Sequence, residues 1–225
     1  VQLSEVVDSE TGMRVELPDL LSVLSHELRG PLGIVQGYLR LMQRQRPPGD
    51  PDAPIITAML DATGRLATIG RQAADLRAWC RPHPVDAMTD VAANDLAAAA
   101  VQASSGVLVM TTGAEVCDAP VRVLDVDAVA AALVALGVLV SRERGERDVS
   151  LDVASAADHV TFTVIPPPGG AGPATPPSAV AFDRGGQGLS LVVASYVLDA
   201  HGAVVARADP PGSIQVHLTR GRTIA

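Results

Sequence analysis

Residues Ser25 to Leu32 read SHELRGPL. The stretch lies inside a run of leucines with helical spacing, yet a glycine and a proline follow a histidine–glutamate pair by one turn. In a helix interior glycine costs about 1 kcal/mol against alanine, and proline about 3 kcal/mol. Pro31 has no N–H and crowds the carbonyl one turn back, at Glu27. The pattern predicts a long helix that bends or loosens beside a reactive turn. His26, flanked by polar Ser25 and Glu27, falls off the apolar rows and is expected to face water. A solvated surface histidine is the plain reading. The chemical one is a neutral imidazole nucleophile that titrates near neutral pH, its second ring nitrogen bonded to Glu27.

The rows around this stretch set the fold of the first part. Leu21, Leu28, Val35 and Met42 recur every seven residues. Leu17 and Leu24 form a second row, which Leu32 and Leu39 continue one residue out of step across Pro31. Such a two-row stripe marks a helix that packs in a bundle. The breaker Arg46-Pro47-Pro48-Gly49-Asp50-Pro51 ends it. A second helix is expected from about Pro54 to Trp79, with Met59, Leu66 and Ala73 on one row and Ala62, Ile69 and Leu76 on another. Two long helices on a short loop form an antiparallel hairpin. One hairpin cannot bury both stripes, so they pack on the rest of the chain or on a second copy. A homodimer, completing a four-helix bundle, is the expectation.

The 225 residues suit one large domain or two small ones. Apolar residues make up 48% and aromatic ones only 2%, so the core must come from Leu, Val, Ile and Ala. A formal net charge of -8 argues against nucleic acid or an anionic membrane as the main partner. Cys80 and Cys117 form neither a metal-like pair nor a disulfide framework, which fits buried free thiols in a reducing cytoplasm. Val126 to Val140, the most apolar stretch, is interrupted by Asp127 and too short to span a membrane. No secretory signal is visible. The chain opens on Val1, which leaves room for a sensor or membrane segment ahead of it.

Residues 1–16 are polar and mixed, 17–80 form the hairpin, and Arg81 to Pro84 read as a linker into a second domain, 85–225. There, helices are expected over Val85–Gln102, Val126–Arg142 and Gly188–His201. Strands are expected over Val107–Thr112, Val121–Leu124, Val149–Val153, His159–Ile165, Ala203–Arg207 and Ser213–Thr219, with a Pro/Gly loop from Pro166 to Pro177. Without strict alternation, this order suggests an α+β sandwich with helices on one face of a mixed sheet.

SHELRGPL on the first helix of a hairpin resembles the phosphoacceptor box of sensor histidine kinases. GQGLSLVVASYVLDAHG, Gly186 to Gly202, resembles their second glycine box and the helix after it. Leu124-Asp125-Val126-Asp127 and the Ala/Leu helix that follows resemble the approach to the asparagine box. The resemblance runs from about residue 17 to 220. It implies a dimeric hairpin phosphorylated on His26, oriented by Glu27, and followed by a domain of the kinase ATPase type. Arg29 and Pro31 would contact the partner.

Three departures stand against that likeness. Ala135 takes the place of the asparagine that holds Mg²⁺, and Leu139 that of its alternative. Pro166 replaces the aspartate that binds adenine, and Pro168 the first glycine after it. Proline offers neither a carboxylate nor an N–H. Ala171 to Gly185 is short and plain for a nucleotide lid. Gly170, Gly186 and Gly188 remain as a vestigial phosphate site, or simply as a tight turn and close helix packing. Gly30 also lacks the side chain that would align a water for dephosphorylation, so weak phosphatase activity is expected. These features imply a histidine phosphotransferase passing phosphoryl groups between response-regulator receiver domains, with no cofactor of its own and Mg²⁺ supplied with the receiver. An upstream histidine kinase would feed the relay. The alternatives are an active kinase with a divergent ATP site, and a non-catalytic pseudokinase that binds a kinase or regulator.

Overall fold

The computed structural model describes residues 17–47, 49–111, 117–145, 149–167 and 189–221. The N-terminal segment 1–16 lies outside these, as do Gly170, Gly186, Gly188 and most of the Pro/Gly loop.

Helix α1 (Leu17–Gln45) runs unbroken through Pro31 for 29 residues. Helix α2 (Ala53–Trp79) returns beside it, with Pro54 in its first turn, where a missing N–H does no harm. Arg46 closes the turn between them, donating to Asp50 at 2.8 Å and to Asp52 at 2.7 Å. The cation thus sits at the negative end of α1 and the carboxylates at the positive end of α2. Within the chain, Leu21 and Leu39 of α1 and Ile56, Ala73 and Leu76 of α2 are buried. The other apolar rows are not. Leu17, Leu24, Leu28, Val35 and Met42 on α1 and Met59 and Leu66 on α2 are all exposed.

The second part begins with a short 3-10 turn at Val85–Ala87, then strand β1 (Thr89–Ala92) and helix α3 (Ala93–Ala103). This corrects the expected helix from Val85. Thr89, Asp90, Val91 and Ala92 pair antiparallel with Val123 to Pro120 of β3 (Pro120–Val123), and this pairing delays the helix to Ala93. Strand β2 (Leu108–Met110), helix α4 (Val126–Arg144), β4 (Val149–Ser155), β5 (His159–Ile165), helix α5 (Ser190–Ala200), β6 (Val204–Ala208) and β7 (Ser213–Thr219) complete the domain.

β1 and β3 make a two-stranded sheet. The main sheet has the order β2-β4-β5-β7-β6, parallel only between β2 and β4. Alternation decides its faces. Val160, Phe162 and Val164 point into the core with Ile214, Val216 and Leu218 of β7, while Thr161 and His217 share the opposite face. α3, α4 and α5 cover the inner face and supply Leu96, Leu133, Leu136, Val140, Val197 and Leu198 to one core. The mixed sheet with helices on one face is the architecture expected. Asp125 caps α4 by accepting from the Ala128 N–H at 3.0 Å, and Gly145 ends the helix at φ 69°. That left-handed turn is one glycine adopts without a Cβ clash.

Candidate functional site

His26 projects from the middle of the first half of α1. At about 100° per residue it lies about 180° around the helix from Leu17, so the bare apolar stripe and the imidazole face opposite ways. Its side chain is 82% exposed, and that of Glu27 is 75% exposed. Nδ1 of His26 is 3.4 Å from Oε1 of Glu27, a long contact open to water. With the Nδ1 proton directed at the carboxylate, the lone pair is left on Nε2, free in solvent. Arg29 and Gly30 are exposed one turn on, as is Pro31, whose ring does not break the helix. Ser25, beside His26, turns inward instead and donates to the Ser22 carbonyl at 2.9 Å.

The hairpin and the second domain meet through α2 and α5. Leu21, Ala73 and Leu76 pack with Cys80, Leu189, Val192 and Val193. Burial pushes the Cys80 thiol up from its ordinary range. Gln72 sits at the rim of this patch. Its Oε1 accepts from the Leu189 N–H at 2.8 Å, and its Nε2 donates to the Ser190 hydroxyl at 2.7 Å. The amide of one domain is thus bonded to two residues at the start of a helix in the other.

Beside this joint lies a cavity of about 820 Å³. Its walls are α2, the linker, α4 and α5. Small apolar side chains dominate, among them Ala128, Ala132, Ala135 and Val138 on α4 and Val193 and Ala194 on α5. Ala135, the position likened to a Mg²⁺-binding asparagine, presents a methyl group there. Among the described lining residues there is no Asn, Lys or Arg. Pro166, likened to the adenine aspartate, is buried at the end of β5.

One end of the cavity is aromatic. Trp79 stacks on His83 at 4.8 Å between centroids and tilts against His201 at 5.6 Å. His201 is buried in the neutral form. Its Nε2 accepts from the Leu124 N–H at 2.9 Å, and its Nδ1 donates to the Val197 carbonyl at 2.6 Å. Burial holds its pKa below the ordinary 6.5, against smaller raising contributions from that carbonyl and from Asp125. Sequence reading passed over Gln72, Trp79, His83 and His201. The one available signal was three aromatic or amide side chains crowded near a proline-flanked linker. Among the described residues no group of three His, Cys, Asp or Glu is placed to hold a metal ion, and no helix is long and apolar enough to cross a membrane.

With this geometry described, comparison with known proteins bears on it directly. Residues 17–76 match the His Kinase A (phospho-acceptor) domain family. The hairpin belongs to that family. The whole chain has the histidine-kinase fold, a phosphoacceptor hairpin followed by an ATPase-type domain. It superposes on full-length ShkA, solved in complex with AMPPNP, with a TM-score of 0.70 at 18% identity, over 92% of this chain and 47% of that one. The chain thus spans about half the length of ShkA. Histidine kinase ThkA, solved in complex with the response regulator protein TrrA, matches at TM-score 0.53 and 16% identity, over 91% and 62% of the two chains. The Acinetobacter baumannii histidine kinase AdeS matches at 0.50 and 15%, over 88% and 98%. No curated protein matches the sequence. Within the phosphoacceptor hairpin, His26 is the exposed imidazole with a carboxylate beside it.

Proposed function

We propose that this chain is a histidine phosphotransferase of a two-component relay, moving phosphoryl groups between receiver aspartates through His26. The observation that carries this reading is the contrast between two places. His26 is bare, with Glu27 beside it, while Ala135 and the other described cavity residues present no Asn, Lys or Arg toward a MgATP. Phosphoryl transfer from ATP depends on positioned metal ions and cationic donors. Among its described lining residues the cavity has methyl groups, two carboxylates (Asp75 and Asp125) and no Lys or Arg, a set that does not suit that cofactor.

The exposed imidazole supports the following chemistry. The Nε2 lone pair of His26 attacks the phosphorus of a receiver's aspartyl phosphate. A P–N bond forms as the P–O bond to the aspartate breaks, and the carboxylate leaves with that electron pair. Glu27 holds the Nδ1 proton and offsets the charge on the ring. A second receiver's carboxylate then attacks the phosphohistidine and restores the imidazole. The receiver brings the Mg²⁺ that neutralises the phosphoryl oxygens.

The exposed rows on α1 and α2 support a homodimer in which two hairpins form a four-helix bundle. Because His26 faces away from that stripe, its loss leaves the dimer intact.

The test uses receiver domains phosphorylated with labelled phosphate. Label moves to the wild-type chain and not to His26→Ala, and MgATP labels neither. Self-labelling from MgATP would make the chain an active kinase. Receiver binding without transfer, undiminished in His26→Ala, would make it a non-catalytic regulator.

A further inference from the structure

We infer that the outer face of the main sheet carries a site for a divalent transition-metal ion of the zinc class, held by His159 of β5 and His217 of β7. The two strands run antiparallel with His159 opposite Thr219 and Thr161 opposite His217, so the histidines are diagonal neighbours. Residues two apart on a strand share a face, which puts both imidazoles with Thr161, away from the core. Their ring centroids lie 5.0 Å apart, and the ring planes cross at 86°. Two imidazoles that share one ion through bonds of about 2.0–2.1 Å, at bond angles of about 90–109°, have centroids about 4.5–5.2 Å apart. The pair already stands at that spacing.

The hydrogen bonds of the two rings point the same way. Nδ1 of His159 is 2.6 Å from Oδ1 of Asp158, and Nδ1 of His217 is 2.9 Å from Oγ1 of Thr161. The hydrogen bond with His159, above all, holds the Asp158 carboxyl below its ordinary range, so it is ionised and accepts the Nδ1 proton. The lone pair of His159 is then on Nε2. The Thr161 hydroxyl can accept from His217 in the same way. Metal-bound histidines are fixed by this device, the second ring nitrogen donating to a carboxylate or another oxygen. Neither Nε2 has a hydrogen-bond partner among the described residues, and both reach solvent.

The ligand atoms set the class of ion. Imidazole nitrogen suits zinc, copper and nickel, whereas magnesium and calcium take oxygen ligands. Asp158 adds a negative charge beside the site. The guanidinium of Arg220, just after β7, is turned to the Ala156 carbonyl at 3.1 Å. Two imidazoles fill two coordination positions and water fills the others, so the ion binds reversibly as a bridge between β5 and β7.

This inference is independent of transfer through His26: either can fail while the other stands. The test is calorimetry on the chain without an affinity tag, titrated with Zn²⁺ and, separately, with Mg²⁺. Zn²⁺ should give a saturable one-site heat, and Mg²⁺ none at the same concentrations. His159→Asn and His217→Asn keep a polar atom near the Nδ1 position and remove Nε2. Each should weaken Zn²⁺ binding at least about ten-fold, while His26→Ala should bind Zn²⁺ as the wild type does. In the unsubstituted chain, the imidazole proton resonances of His159 and His217 should shift together as Zn²⁺ is added, a readout that depends on no variant. The inference is overturned if Zn²⁺ gives no saturable heat, if Mg²⁺ binds as tightly, or if the two resonances stay in place. It is equally overturned if either asparagine variant binds Zn²⁺ as tightly as wild type, or if His26→Ala abolishes binding.

Discussion

Replacing Gln72 by alanine should undock the two domains without unfolding either. Gln72 bonds across the joint to the Leu189 N–H at 2.8 Å and to the Ser190 hydroxyl at 2.7 Å. Each contributes about 0.5–1.5 kcal/mol net, so the pair is worth about 1–3 kcal/mol. What remains is a small apolar patch of Leu21, Ala73 and Leu76 against Leu189, Val192 and Val193. At about 1.4 kcal/mol per factor of ten, the docking equilibrium shifts about 5- to 150-fold toward the open form. Two readouts follow. Hydrogen exchange at the Leu189 amide should accelerate by that factor, and alkylation of Cys80, half-buried in the same patch, should accelerate with it. Cys117, in a different part of the domain, serves as the internal reference. Gln72→Glu is the control. It keeps the acceptor and adds a negative charge at a helix N-terminus, so docking should stay near wild type. Unchanged exchange and alkylation in Gln72→Ala, or a Glu variant as open as the Ala variant, would refute the reasoning.

Other expectations concern the ATPase-type domain. Asp125→Ala removes the α4 cap and should cost about 0.5–2 kcal/mol in urea unfolding, most of it regained in Asp125→Ser. Phe162→Ala, at a fully buried β5 position, should cost about 3–5 kcal/mol by the same assay. His201 gives a pH dependence. Its folded pKa is depressed by burial, so the unfolded chain binds the proton more readily. Its contribution to stability is complete above the unfolded value of about 6.5 and is lost as pH falls through the folded value. The urea midpoint should therefore drop below about pH 6.5 in wild type, and that component of the drop should vanish in His201→Phe.

The hairpin was legible because the information is local. Seven-residue rows, a proline-glycine breaker and an off-row histidine are all written within one helix length, and the exposure of His26 follows from its neighbours. The antiparallel pair β4 and β5 was equally readable from the alternation in His159–Ile165. β1 was not. Thr89–Ala92 is four residues leading directly into alanine-rich α3, and only its pairing with β3, some thirty residues later, makes it a strand. The cavity was least legible. Gln72 meets Leu189 and Ser190 across 117 and 118 positions, and His83 reads as linker until Trp79 is seen stacked on it.

The joint at Gln72 also makes the ATPase-type domain sensitive to rotation of α2. That helix is a single rod of 27 residues, and successive side chains sit about 100° apart around it. A twist by one residue would offer α5 either Ala73, which cannot bond, or Arg71, whose cation opposes the positive end of the helix. Only one angular setting therefore engages. A turn of α2 about its own axis would thus break both hydrogen bonds to α5 together.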